Sequence, residues 1–302
     1  MAKTKTPLFG LETHGTIANK LTFQKRNRTT FARNKPTPID PKTLAQIYHR
    51  WDYQDYALLW HSLTLAQQQQ WESNARRLKI TGFNYWIRTH LKTLPDLAGR
   101  WHLDERSGSQ AHDSSKNTNN GTIYGATPSP GYIDYCLYFD GIDDRVKILD
   151  HPSLKPTNAI TIMLRFYALT QTQGWSRLIA KGLDKSYEIR FQNNFNLRPQ
   201  FVLTDVGWIA VPTPVILNIW YHIAATYDKD AGPSNMKLYL NAQLIASTTK
   251  TLPITQTTHN LGIGDGPDKS DPFKGYIDEV KIYNRALTAQ EIKIHYERKY
   301  PE

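Results

Sequence analysis

The chain has 302 residues, of which 39% are hydrophobic and 21% are charged, a composition that fits a folded globular protein and excludes an intrinsically disordered one. No run of about 18 apolar residues occurs, so we expect no membrane insertion. The net charge of +10 lies in residues 1–95, which hold 15 lysines and arginines against 5 acidic residues; this asymmetry predicts an electrostatic partner for that part alone.

We expect residues 1–42 to form an extended basic arm that contains a hairpin. Apolar residues alternate with polar ones on both sides of a basic turn at residues 25–28, and three prolines between residues 36 and 41 disfavour a helix. Because so polar an arm cannot bury a core alone, it should order against another surface. Its candidate partner-binding residues are Lys25, Arg26, Arg28, Arg33 and Lys35.

The N-terminus is basic but lacks the apolar stretch of a secretory signal. We therefore expect a location in a virion or, alternatively, outside the cell or on its surface by a route other than a signal peptide. The single cysteine, Cys136, excludes an intrachain disulfide, and the apolar run Tyr135–Phe139 around it predicts a buried and unreactive thiol.

Residues 43–95 are predicted to form a small segment of three helices. Asp40 or Thr43 can cap the first helix, Thr64 begins the second, and a third short helix follows. Four tryptophans recur here at helical spacing, an arrangement that is more often the packing of a small bundle than a binding surface.

From residue 96 the chain changes to short β-rich runs separated by Gly, Pro, Asn and Asp turns. About a dozen strands with no helix between them predict a two-sheet antiparallel sandwich or jelly roll over residues 96–302. A helix signal returns only near the C-terminus, where Thr288 and Glu291 form a capping box.

Short blocks within residues 97–299 resemble, in order, the laminin G-like jelly-roll family of the concanavalin A-like superfamily. The blocks are Gly99–Gly108, Asp113–Asn117, Asn120–Thr122, Tyr138–Asp144, Lys181-Gly182, Trp220–Asp228, Lys237–Asn241 and Phe273–Leu287. The resemblance implies a mainly β fold, an antiparallel β-sandwich jelly roll that follows the arm and the small helical segment. The sequence departs from the family at Asn241-Ala242, where Asn-Gly is usual, which puts that hairpin turn in question.

Residues 1–95 also resemble small modules of phage and prophage virion proteins. The residues that carry this resemblance are Leu21–Phe23, Thr30–Pro36, Asp40–Thr43, Gln46, Trp60–Thr64, Trp71, Ala75 and Gly82–Ile87. The resemblance implies a piece that docks onto a major capsid protein or a related shell.

We expect no catalysis, although enzymes exist on this kind of sandwich. Glycan hydrolysis needs two carboxylates that face one cleft. Asp278 and Glu279 are adjacent, so on a regular strand they would point to opposite faces, and Asp104-Glu105 shares the problem. No pair of histidines has metal-ligand spacing.

A structural calcium ion is the cofactor that we expect, because loops of this chain supply several carboxylate and amide oxygens. The resemblance implies a site near the Asp113–Gly121 loop and Asp278. The candidate ligands are Asp113, Asn117, Asn119, Asp140 and Asp278, and Asp143 and Asp144 are further donors. The alternative is that these side chains make turns by bonding to their own backbone.

Glycan binding would use aromatic faces that stack on sugar rings. Trp175, Tyr187 and Trp208 lie in or near connections and are the candidate ligand-binding residues. Trp101 and Trp220 belong to core-like blocks and are expected to be buried. The alternative for each loop aromatic is simple packing.

Together these features predict a non-catalytic virion accessory protein of the capsid-decoration type. Residues 1–95 would anchor it, as a homo-oligomer or in high copy, to a capsid or other shell protein, and residues 96–302 would display a module that binds host or environmental glycans. The alternatives are a bacterial surface or released lectin-like adhesin, a glycan-active enzyme and a DNA-binding protein. DNA is disfavoured because docking on an acidic protein lattice explains the basic arm equally well.

Overall fold

A computed structural model describes most of the chain. The described residues are 2–4, 15–17, 21–26, 29–34, 43–93, 96–170, 174–192, 196–267 and 271–298. They divide into two compact units, Met1–Tyr48 and His49–Glu302. No helix among the described residues has both the length and the apolar character needed to cross a membrane.

The first unit contains a four-stranded antiparallel sheet in the order β1-β4-β3-β2. Its strands are β1 (Ala2–Thr4), β2 (Gly15–Ile17), β3 (Leu21–Arg26) and β4 (Thr29–Asn34). β3 and β4 pair from Arg26 opposite Thr29 to Leu21 opposite Asn34, so the hairpin predicted for the arm is confirmed. Of the predicted partner-binding residues, Lys25, Arg26 and Arg33 lie in these strands, and Arg28 and Lys35 lie outside the described residues.

Three helices follow, as the sequence predicts. They are α1 (Leu44–Ser62), α2 (Leu65–Ala75) and α3 (Gly82–Thr93). Thr64 caps α2: its side chain accepts from the backbone N–H of Gln67, whose own side chain accepts from the N–H of Thr64. The ring of Trp86 lies 5.1 Å from that of Trp71 and 6.1 Å from that of Trp60, so these tryptophans form the packing of the helices.

Two antiparallel sheets follow in the second unit and confirm the predicted β-sandwich. The back sheet consists, in spatial order, of β18 (Gln243–Thr248), β17 (Met236–Leu240), β16 (Trp220–Asp228), β11 (Ala159–Ala168), β20 (Lys274–Tyr283), β9 (Tyr135–Asp140) and β8 (Thr127–Pro130), with β5 (Leu97–Trp101) also paired to β20. The front sheet consists of β15 (Gly207–Ala210), β14 (Asn196–Leu203), β13 (Tyr187–Gln192), β12 (Arg177–Lys181), β19 (Leu261–Ile263), β10 (Arg145–Ile148), β7 (Gly121–Tyr124) and β6 (Gln110–Ala111).

The core lies between the two sheets and follows from the two-residue period of the strands. In β11, Ile162, Leu164 and Phe166 point inward and are fully buried, while the residues between them face the outside of the back sheet. Trp101 is fully buried in this core, as predicted. Cys136 is buried too, and burial raises the pKa of its thiol, which keeps it protonated and unreactive.

A fourth helix, α4 (Ala289–Glu297), covers part of the outer face of the back sheet. It begins at the predicted capping box, in which Thr288 and Glu291 bond to each other's backbone N–H. Its Ile292 packs with Met163 and Tyr283 of the back sheet in a separate small apolar cluster. The outer face of the back sheet is therefore partly shielded from solvent by α4.

The helical segment also packs on the outer face of the back sheet. Asp52 of α1 accepts two hydrogen bonds from Arg100 of β5, at 2.6 and 3.2 Å. Asp55 accepts from Arg298, which follows α4 and also donates to the carbonyl of Trp51 at 3.2 Å. The structure thus groups residues 49–93 with the sandwich, whereas the sequence suggested boundaries at 42 and 95.

The hairpin turn between β17 and β18 keeps the geometry that Asn-Gly usually provides. Asn241 and Ala242 both have left-handed backbones, with φ of 49° and 63°. A two-residue turn with positive φ at both positions matches the twist of its flanking strands. Ala242 therefore adopts a strained left-handed backbone, and the hairpin turn keeps its usual conformation.

Candidate functional site

The outer face of the front sheet carries a polar centre on strands β13 to β15. Tyr187, Ile189 and Phe191 of β13 point into the core, so Glu188 and Arg190 point outward. Register then places their neighbours on the same face. Arg190 lies opposite Gln200, which lies opposite Ala210; Glu188 lies opposite Val202, which lies opposite Trp208.

Two arginines hold Glu188 in place. Arg177 Nε donates to its carboxylate at 2.8 Å, and Arg190 Nη1 lies 2.6 Å from its other oxygen. Arg190 also pairs with Asp184 at 2.7 Å, and Arg177 pairs with Asp271. Glu188 and Arg177 are each only 2% exposed, so this network forms a rigid floor under the outer face.

Burial sets the protonation of this floor. It raises the pKa of Glu188 to about 7, although Arg177 and Arg190 act in the opposite direction. For Asp184 burial also acts upward, but hydrogen bonds from Glu188 and Arg190 outweigh it and lower the pKa. The two carboxylates therefore differ in proton affinity, and only Asp184, which is 62% exposed, reaches solvent freely.

Two indoles flank the floor. The Arg190 guanidinium lies 4.1 Å from the ring centre of Trp175, a cation–π contact that fixes both groups. Trp208 is 58% exposed and lies on β15, two strands across from Glu188, which is about 10 Å at normal strand spacing. A half-buried indole, a charged floor and an exposed indole can together stack on sugar rings and bond to hydroxyl groups.

Tyr187, the third predicted glycan contact, lies elsewhere. Its ring is 1% exposed in the core, and its hydroxyl donates to the carbonyl of Leu154 at 3.1 Å. No surface is left for stacking on a sugar. We therefore correct its assignment from ligand binding to packing.

The five predicted calcium ligands do not form one site. Both oxygens of the Asp113 carboxylate are occupied by donors: the N–H groups of Arg100, Ser115 and Asn119, each at 2.8 Å, and the Ser115 hydroxyl at 2.7 Å. A carboxylate with four such donors is the centre of a loop and not an open metal ligand. The turn-forming alternative fits Asp113.

Asn117 and Asn119 serve the same loop. The Asn117 side chain donates to the carbonyls of Leu97 and Ala98, at 2.9 and 3.0 Å. The Asn119 side chain donates to Ala98 O at 3.0 Å and to the Ser153 hydroxyl at 2.9 Å. Both amides therefore tie the loop to the start of β5.

Asp278, another predicted calcium ligand, lies on β20 with Glu279. The expectation that these two side chains point to opposite faces of a regular strand is wrong. Ile277 and Val280 both point into the core, so two residues, Asp278 and Glu279, lie between inward positions. Glu279 has a left-handed backbone with φ of 53°, and the pairing of β20 with β11 shifts here, which marks a β-bulge. The two carboxylates therefore do not alternate as on a regular strand, and both are buried.

The Asp278 carboxylate accepts the backbone N–H groups of Tyr132 and Ile133, at 2.9 and 3.0 Å. Its second oxygen is buried and has no hydrogen-bond partner among the described residues. Burial, followed by the nearby charge of Glu279, raises its pKa well above the usual value. The carboxylate is thus committed to the backbone of residues 132–133 and does not reach the Asp113 loop as an open metal ligand.

Asp140 is the one predicted ligand that lies in a carboxylate cluster. Its oxygens, with those of Asp143 and Asp144, come within 4.8 Å of one another in the loop that joins β9 to β10, and this is the sole group of three such ligands among the described residues. Asp144 accepts from the N–H of Asp140 at 2.8 Å, and Asp140 accepts from Ile142 at 2.7 Å. Burial, then the charges of Asp140 and Asp143, raise the pKa of Asp144, and a bound cation would relieve that repulsion.

Sequence reasoning missed Glu188 and Arg190, and it misjudged Trp220. The signal for the first two was available, because two charged residues alternate with three apolar ones in β13. Trp220 is half-buried on the outer face of the back sheet and not in the core. There it ends a row of aromatic rings with neighbouring centres 5.2 to 5.7 Å apart, which runs through Tyr138, Tyr276, Tyr167 and Trp220.

Comparison with known proteins identifies the family of the sandwich and its structural relatives. Residues 140–293, just over half of the chain, match the family described as the concanavalin A-like lectin/glucanases superfamily. Among curated proteins, mouse pentraxin-related protein PTX3 is 30% identical over 96 residues, which are 28% of this chain and 25% of that protein. The chain thus matches about a quarter of the length of this relative.

Two solved structures share the sandwich. Domain 4 of the extracellular GH43 arabinanase AbnA from Geobacillus stearothermophilus, in complex with arabinotriose, superposes with a TM-score of 0.53 at 20% identity and covers 67% of this chain and 98% of that one. The Trypanosoma rangeli sialidase in complex with sialic acid gives a TM-score of 0.50 at 18% identity over 67% of this chain and 32% of that one. At these identities the likeness concerns the fold.

Proposed function

Because this chain belongs to the concanavalin A-like lectin/glucanases superfamily, we propose that it is a non-catalytic protein that binds glycans on the outer face of its front sheet. The observation that carries the proposal is the pairing of two accessible indoles, Trp175 and Trp208, with the polar floor of Arg190 and Glu188 between them. The arabinotriose bound to the related AbnA domain supports a carbohydrate as the ligand class.

Binding is favoured over hydrolysis by the state of the carboxylates. A glycosidase needs one carboxylic acid and one carboxylate that both reach the scissile bond. Glu188 has a raised pKa, as an acid catalyst would, but it is buried under Arg177 and Arg190. An arginine-covered carboxylate positions the floor and does not reach a substrate.

A glycan array probed with the folded full-length chain tests the proposal. We expect selective retention of a small set of glycans, with binding that persists when the salt concentration is raised, because stacking is weakly screened. An array without any hit would count against the proposal. Release of sugar from a retained glycan during prolonged incubation would replace it with an enzyme.

Calcium is proposed at Asp140, Asp143 and Asp144 rather than in the Asp113 loop. With calcium a hundredfold above its Kd we expect the melting midpoint to rise by about 5–10 °C, because only the folded chain presents the three carboxylates together. Exchange of Asp144 for asparagine should remove most of the rise. The matched control is Asp230→Asn, at an exposed residue beside Lys229, and it should keep the full rise.

Differential scanning calorimetry with excess calcium and with chelator measures both midpoints. Equal midpoints in the two conditions would exclude a structural calcium ion from the chain.

A virion is the proposed setting, with the basic arm as the anchor on a capsid or other shell protein. The charge distribution supports this role, because residues 96–302 carry no net charge. Residues 49–93 pack on the sandwich. We therefore propose the first unit alone, rather than all of residues 1–95, as the segment that binds the shell. On the shell, the protein would be present as a homo-oligomer or in many copies.

Deletion of residues 1–42 is expected to abolish co-sedimentation with purified particles while leaving the melting midpoint of the sandwich unchanged. The reason is that the deletion removes 9 of the 37 lysines and arginines and leaves the second unit whole. Unchanged co-sedimentation would mean that the arm is not the anchor. Retention on bacterial envelopes instead of particles would favour the alternative role as an adhesin.

A further inference from the structure

A cavity of about 210 Å³ lies between the helical segment and the outer face of the back sheet. Tyr56 and Trp86 line it from α1 and α3, and Tyr283 lines it from β20. A protein cavity of about 150 Å³ is large enough to hold benzene. The space therefore suits a compact ligand somewhat larger than benzene, with aromatic walls on two sides.

Two carboxylates of α1 line the cavity, and each is paired with an arginine. Asp52 accepts hydrogen bonds from Arg100 at 2.6 and 3.2 Å, and Asp55 accepts from Arg298. These ion pairs join the helical segment to the sandwich. Their charges are compensated and leave little for a ligand.

The other two carboxylates of the wall share a single arginine. Arg285 donates to both oxygens of Glu291, at 3.1 and 2.6 Å. Its Nε lies 3.8 Å from Asp96, whose side chain is 50% exposed. Asp96 is therefore the least compensated charge of the cavity, and four carboxylates face three arginines.

The histidines of the wall do not offset this surplus at neutral pH. Burial lowers the pKa of His90 and holds that of His295 well below the usual value, so both rings are neutral. The phenol of Tyr56 is neutral as well, because burial and then Asp52 and Asp55 raise its pKa. A wall of this kind repels an anion and attracts a cation.

We propose that this cavity binds a compact organic cation, a methylated ammonium group, between Tyr56, Trp86 and Tyr283 with Asp96 at its side. Aromatic rings attract a cation through their quadrupole, most strongly when water is excluded. A quaternary ammonium has no N–H to donate, which suits a wall whose buried carboxylates already accept from arginines. The inference is independent of glycan binding on the front sheet.

Titration of the full chain with tetramethylammonium chloride tests the proposal. The readout is ¹⁹F NMR of fluorotryptophan-labelled protein, with the Trp86 signal assigned from the Trp86→Phe variant. We expect a saturable shift of the Trp86 signal. Potassium chloride at equal ionic strength and tert-butanol, a neutral molecule of the same size and shape, should not produce it.

The variant Asp96→Asn tests whether tetramethylammonium binds beside Asp96. It removes the charge but keeps a residue that tolerates the left-handed backbone at this position, where φ is 67°. We expect the affinity for tetramethylammonium to fall about three- to fivefold. The control Asp134→Asn changes another left-handed aspartate with an arginine partner, at φ of 61° beside Arg106, and should leave the affinity unchanged.

Three results would overturn the proposal: no saturable shift of the Trp86 signal, an equal response to tert-butanol, or equal affinities of the two asparagine variants. Melting curves of both variants establish that each is folded. The glycan array and the tetramethylammonium titration probe different surfaces. Failure of either proposal therefore leaves the other one standing.

Discussion

Replacing Glu279 with alanine is expected to lower the free energy of unfolding by about 3–5 kcal/mol, the cost of breaking a buried ion pair from one side. The carboxylate is 4% exposed; His102 Nδ1 lies 2.5 Å from one oxygen, and Lys281 Nζ donates to the other at 2.6 Å. Burial opposes its ionisation, but His102 and Lys281 outweigh burial and hold its pKa well below the usual value. Without Glu279, the buried Lys281 ammonium would face the positive charge of Arg298.

Urea unfolding at neutral pH, followed by circular dichroism, measures this change. Glu297→Ala is the matched control, because its carboxylate is 57% exposed on α4 and lies 3.7 Å from Lys293 one turn away. Such a surface pair contributes about 0.5 kcal/mol or less. A Glu279 variant as stable as the Glu297 variant would mean that the buried charges of the back sheet find other partners.

Exchange of both Trp175 and Trp208 for alanine is expected to weaken glycan binding about a hundredfold. Each indole should contribute about 1–1.5 kcal/mol through stacking, or roughly tenfold in Kd. Loss of Trp175 also frees Arg190 from its cation–π contact, so the floor becomes less ordered. Isothermal titration calorimetry with a glycan identified on the array measures the two single changes and their sum.

The control for this experiment is Tyr124→Ala, on the same sheet but on β7. Tyr124 is 42% exposed and lies 4.3 Å below the Arg145 guanidinium, so it matches Trp175 in its chemical setting and differs in its place. We expect its removal to leave Kd unchanged. If Tyr124 matters as much as the indoles, or if the double variant binds normally, the site lies elsewhere on the sandwich.

Local patterns in the sequence were sufficient for much of the fold. The capping boxes at Thr64 and Thr288 mark where α2 and α4 begin, since each depends on residues three positions apart. Alternation marks the inward positions of β11, and an apolar run marks buried Cys136. The same alternation in β13 already indicates that Tyr187 points inward, and a stricter use of it would have excluded Tyr187 from the candidate ligand contacts.

The candidate site depended on contacts that no local pattern contains. The side-chain N–H groups of Asn117 and Asn119 donate to carbonyls of β5, some twenty positions earlier in the sequence. The sequence does not reveal these distant contacts, and the residue types alone therefore suggest metal ligands. The bulge at Glu279 violates alternation through one left-handed residue, which tertiary packing imposes. Trp220 stays half-exposed because its place on the back sheet lies beside the area that α4 covers.

The order of strands in the sandwich has a consequence for how the chain is made. β5, the first strand of the sandwich, pairs with β20, the last, where Trp101 lies opposite Val280. In the front sheet, β10 and β12 reach each other only through β19, at residues 261–263. The front sheet therefore cannot close before β19 has been synthesised, nor the back sheet before β20, and pairing between strands so distant in sequence makes folding slow.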